Sequence, residues 1–169
     1  MRIRNGVLAA LIVTGTIAGT TAMSHDHRND ASNHQVFKQN LVGLPADQKI
    51  AIDGVPAAGA PWVDAKTSSV SINARGELKL EVKGLLITGT GGPADGTVGP
   101  VTQVVATLLC ANGSSATTSP AAFSTEGNAR IVDHITIPAN CLAPVVLVRI
   151  FGVAPANPWI AATGLSGAI

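Results

Sequence analysis

Tyrosine is absent from the 169 residues, and the remaining aromatics amount to three Phe and two Trp. The core must therefore be aliphatic. Charge is sparse as well, with 11 Lys and Arg against 10 Asp and Glu scattered along the chain. A nucleic-acid binder needs a basic patch to displace counterions from phosphates, so that partner class is set aside. No apolar run reaches the roughly 20 residues of a membrane-spanning helix. Internal repeats at periods of 20 to 50 residues and any sustained helical period are also missing.

What is present begins at the N-terminus. Arg2 and Arg4 precede an apolar run from Val7 to Ala18, followed by small residues through Ala22. These are the three parts of a secretory signal in order. The run is diluted by Thr14, Gly15 and Thr16, which favours cleavage over anchoring. Cleavage after Ala22 or after Ser24 fits the small residues there, and no Cys near either position offers a lipid-attachment site. Loss of Arg2 and Arg4 changes the balance from 11 against 10 to 9 against 10, a nearly neutral mature chain of about 147 residues. That length suits one domain with a sizeable core.

The predicted organisation is a signal over 1–22, a polar leader with a weakly structured lead-in over 23–61, and a β domain over 62–169. Residues 24–35, SHDHRNDASNHQ, hold almost nothing apolar. In the lead-in only Lys49 to Val55, with Ile50 and Ile52 on one side, reads as a short strand that could join the domain. Beyond it, Ser68 to Ala74 and Glu77 to Lys83 alternate strictly between apolar and polar residues. Such alternation marks half-buried strands, and Ala74-Arg75-Gly76 between them marks a tight hairpin. At Gly84 the alternation breaks into Leu85-Leu86-Ile87, as expected where a strand bulges or passes under cover. Thr88 to Pro100 is a loop by composition. Val101 to Ala111 reads as a central strand, with further strands at Ala129 to Ile137, Val145 to Phe151 and Trp159 to Thr163. Short strands separated by Gly and Pro turns predict an all-β, antiparallel sandwich of Ig-like or similar type, with a partly closed barrel as the alternative.

Cys110 and Cys141 are the only cysteines, and in an oxidising compartment such a pair is most simply a disulfide. Zinc would need more ligands, and the nearest His is His134. Other chemical motifs fall short. The Gly89–Gly99 loop lacks the lysine and the following helix of a phosphate loop. Gly164-Leu165-Ser166-Gly167 has the wrong spacing for a nucleophile elbow. Asp133 and His134, adjacent on a strand, aim at opposite faces and cannot form an orienting dyad. Glu77 and Glu81 alternate with Lys79 and Lys83 as a solvated ladder. Asn112-Gly113-Ser114 is an N-glycosylation triplet that matters only in a host with that machinery. The leader could hold Cu(II) or Ni(II) in a square plane through a new N-terminus and His25, or through His25 and His27 after the later cut.

Trp62-Val63, the Gly76 to Ile87 segment, Gly99-Pro100-Val101 through Leu109-Cys110, Gly127 to Ile131, Cys141 to Val148 and Trp159 to Gly164 together resemble small secreted bacterial proteins of actinobacterial type. The resemblance covers 62–164 and includes the Cys pair. It implies a bacterial, extracellular protein and transfers no catalytic or binding residue.

The function expected from these readings is a secreted, non-enzymatic domain with a structural or interaction role at or outside the cell surface, without a cofactor. Val145 to Val148 is expected to support self-association, or contact with an extracellular protein, through an open sheet edge. The alternative is a ligand- or carbohydrate-binding module, which requires Trp62 and Trp159 to be exposed and close together. Metal binding by the processed N-terminus ranks below both. An enzyme is ranked low, with His134 as the residue whose loss would reveal one.

Overall fold

The computed structural model describes residues 34–64, 66–154 and 156–165, and the regular elements among them are strands. In chain order these are β1 (Gln35–Gly43), β2 (Trp62–Asp64), β3 (Ser68–Asn73), β4 (Glu77–Val82), β5 (Leu85–Ile87), β6 (Gln103–Leu109), β7 (Ser115–Thr117), β8 (Ala121–Ala122), β9 (Ala129–His134), β10 (Val145–Ile150) and β11 (Trp159–Thr163). Nine of them form one antiparallel sheet in the order β7-β6-β10-β11-β1-β3-β4-β9, with β8 also paired to β6. The other two, β2 and β5, make a small separate pair.

The large sheet curls into a half-barrel, because the β8 end comes round to meet β9. No backbone ladder closes this seam among the described residues. Instead the Asp133 carboxylate accepts the Ser119 N–H at 2.6 Å, and it also takes the His134 N–H. Those two backbone donors hold its pKa below the usual carboxylate value. Asp133 broke the apolar alternation of its strand for this reason. The all-β antiparallel expectation holds, and the curl explains why both sandwich and partial barrel described the pattern.

The β3–β4 hairpin follows the predicted alternation, with Leu78, Leu80 and Val82 buried and Glu77, Lys79 and Glu81 exposed. Its register pairs Ile72 with Leu78 and Ser69 with Glu81. At Gly84 the chain leaves the large sheet, so that Leu85 pairs with Asp64 in the small one. β6 is buried on both faces, as a strand flanked by β10 and by β7 and β8 must be.

Three expectations are corrected. The lead-in contains a nine-residue strand, β1, set between β3 and β11, so the sheet extends N-terminal of Trp62. Its sequence QVFKQNLVG lacks period-2 alternation because it is held by hydrogen-bonded neighbours, and only its last residues are buried. Lys49 to Val55 is not a strand. Asp53 and Gly54 both take positive φ and fold the segment back on itself, leaving a single bridge between Ile52 and Val55. Val145 to Val148 is not an exposed edge, since β10 lies between β6 and β11 and Val146, Leu147 and Val148 are fully buried.

The disulfide is formed between Cys110 and Cys141, with their Cα atoms 4.9 Å apart. It ties the end of β6 to the approach to β10, beside the Leu109–Val145 pair that starts their ladder. Arg149 on β10 is half-buried and has its guanidinium satisfied by the Asn157 and Ala156 carbonyls and the Thr107 hydroxyl, which binds the β10–β11 turn.

Candidate functional site

The small β2–β5 pair lies against the end of β1, and a cleft opens where they meet. Leu44 donates its N–H to Ile160 O and accepts the Trp62 N–H, so the chain beyond β1 is bonded on one side to β11 and on the other to β2. Gly43 permits this approach, since a Cβ there would stand 2.3 Å from the Trp62 carbonyl oxygen. The cleft has a volume of about 530 Å3, within the range of small-molecule sites. Its apolar walls include Leu41, Pro45 and Pro61, and its polar members include Asp64, Lys66 and Thr88.

Trp62 and Asp64 stand two positions apart on β2 and therefore share one face of the strand, while the exposed Val63 takes the other. Trp62 is 4% exposed and packs its ring against Phe123 at 6.3 Å between centroids. Its Nε1 is buried and has no hydrogen-bond acceptor. Both carboxylate oxygens of the half-buried Asp64 are likewise covered and without a completed hydrogen bond. Burial pushes the Asp64 carboxyl above its usual pKa. Ser68 pulls weakly the other way from just outside good hydrogen-bond geometry, its Oγ already accepting the Lys83 N–H. Native interiors leave few such groups unpaired, and each unpaired group costs free energy.

A raised carboxyl pKa binds its proton more tightly in the folded chain than in the unfolded one. The stability it confers is therefore present in acid and lost as pH rises through the folded pKa. Asp64→Asn is expected to raise the melting temperature at pH 7, with the gain over the parent shrinking towards acid pH. Thermal unfolding followed from about pH 3 to pH 8, the span across which carboxyls titrate, checks this. An equal gain at every pH would show that the charge is not its cause.

Other predicted positions fall elsewhere. Trp159 is fully buried and donates its Nε1–H to Ile50 O, so neither tryptophan offers a surface for stacking a sugar. The exposed pair required by the carbohydrate-platform expectation is absent. Asp133 and His134 form no side-chain pair, the former serving the seam and the latter standing exposed. The Gly-rich loop is organised by its own carboxylate, as Asp95 accepts from Thr90 N, Thr90 Oγ1 and Gly91 N. Those donors hold the Asp95 pKa low. Asn112 caps its own exposed turn by accepting from Ser114 N and Oγ. Among the described residues no three His, Cys, Asp or Glu side chains gather as a metal site, and no helix is long and apolar enough to cross a membrane. His25, His27 and the signal segment lie outside the described residues.

Asp64 was not singled out from the sequence. Its one signal is parity, since an acid two residues after a tryptophan on a strand shares that residue's buried face. Comparison with protein-family models, known proteins and solved structures returned no match to this chain.

Proposed function

We propose that this chain is an exported, non-enzymatic domain that acts by non-covalent interaction at or outside the cell surface, with the β1–β2 cleft as its contact site. The observation that carries the reading is the pair of buried, unpartnered groups on β2, Asp64 and Trp62 Nε1, in the wall of that cleft. The signal-like N-terminus and the disulfide support export, since such bonds persist in oxidising compartments. The half-barrel and its cystine supply a rigid frame, and rigid frames lower the ordering cost of binding. The resemblance to small secreted bacterial proteins supports the same location.

Two measurements test the reading. Expressed from the full-length chain in a bacterial host, the product is expected in the periplasm or medium, shortened at Ala22 or Ser24 and without free thiols. In a thermal-shift panel of neutral, cationic and anionic small molecules, at least one class is expected to raise the melting temperature of the parent. Retention in the cytoplasm would remove the export clause. A flat panel would remove the cleft as contact site, and turnover in a hydrolase screen that is lost in His134→Ala would reverse the non-enzymatic reading.

A further inference from the structure

The two unpartnered groups of the cleft wall have opposite needs. The Asp64 carboxylate accepts hydrogen bonds and the Trp62 indole can only donate one. A simple cation would satisfy the first and leave the second unmet, and Lys66 in the same lining repels it. A simple anion would satisfy the indole and meet repulsion from Asp64. A hydroxyl both donates and accepts, so two adjacent hydroxyls, or one shared between the groups, answer both.

The rest of the cleft suits the same chemistry. Leu41, Pro45 and Pro61 present apolar surface that fits the C–H faces of a sugar, and the Lys66 ammonium and Thr88 hydroxyl add polar points around it. A cleft of about 530 Å3 has room for a mono- or disaccharide. We propose that it binds a neutral polyhydroxylated ligand of saccharide type, held by hydrogen bonds to Asp64 and Trp62 Nε1 rather than by stacking on an exposed ring. This rests on the cleft being the contact site. Because the carboxylate oxygens are covered in the free chain, binding turns the half-buried Asp64 side chain towards the cleft.

The molecule contains its own control. Of the two indole N–H groups, that of Trp62 is unpartnered, while that of Trp159 is engaged with Ile50 O at 3.1 Å. In 15N-labelled mature protein, with the signals assigned through Trp62→Phe, D-glucose is titrated to roughly 100 mM, well above a millimolar dissociation constant. The Trp62 signal is expected to move saturably and the Trp159 signal to stay. Asp64→Asn, expected to be at least as stable as the parent, should weaken the glucose response about tenfold, since a charged acceptor becomes a neutral one.

Acetamide and methylammonium serve as the comparison probes. If either moves the Trp62 signal and glucose does not, the saccharide assignment fails and the cleft remains a contact site. If no probe moves it and a crystal structure shows water alone on the two groups, the saccharide assignment and the contact-site reading fail together. A glucose response unchanged in Asp64→Asn would also overturn the assignment.

Discussion

Replacing both Cys110 and Cys141 by alanine is expected to lower the melting temperature by roughly 10 to 20 °C. The bond closes a loop of 31 residues, for which the chain-entropy account gives about 3 to 4 kcal/mol. The structure shows why the loss should act mainly through the unfolded chain. β6 and β10 already pair over six positions from Leu109–Val145 to Val104–Ile150, so their register does not depend on the bond. The double variant should keep the native fold and lose only its margin. Calorimetry of parent and variant measures the shift, and thiol titration under denaturing conditions measures the premise. Two free thiols in freshly exported protein would remove both the bond and the argument from compartment. A variant that loses its native β signal altogether at 25 °C would show that the bond also determines the register.

Gly76→Ala should cost on the order of 3 kcal/mol, and Gly113→Ala about 1. Both glycines occupy turns at positive φ, +87° and +76°, so both substitutions meet the left-handed backbone penalty. Their surroundings differ. Around Gly113 the space is open, whereas a Cβ on Gly76 would lie 2.0 Å from the Ile135 carbonyl oxygen. The Gly76 carbonyl also accepts the Ile135 N–H at 2.9 Å, which binds the exit of β9 to the β3–β4 turn. Making room would displace the backbone of Ile135, not a flexible side chain. Urea unfolding of the two variants checks the difference. Equal losses would mean that the turn conformation alone accounts for both, and that the approach of Ile135 relaxes freely.

Much of the fold was legible where one face of a strand is buried and the other wet. In β3 and β4 the alternation of Val70, Ile72, Leu78, Leu80 and Val82 with polar residues reports that geometry directly. It failed where burial is uneven along a strand. β1 exposes most of its length and belongs to the sheet through its backbone pairs, which leave no imprint on side-chain type. In the Lys49 to Val55 segment the alternation of Ile50 and Ile52 imitated a strand, but the Asp53-Gly54 turn prevailed and left Ile50 exposed. The apolar run of β10 was compatible with a buried strand or a sticky edge, and only the positions of β6 and β11 separate the two.

The candidate site shows the same division. The sequence by itself determined an all-β chain, the β3–β4 hairpin and its turn, and the availability of two cysteines for one bond. These are local matters, written in alternation, in glycine and in residue count. Tertiary structure alone decided that the sheet curls until Ser119 meets Asp133, that both tryptophans are buried, and that Asp64 and Trp62 Nε1 stand unpaired beside a cleft. The physical reason is that burial and hydrogen-bond satisfaction depend on which distant segments arrive at a residue. The approach of β1 to β2 at Gly43 and Trp62 joins segments whose local pattern carries no trace of the partner.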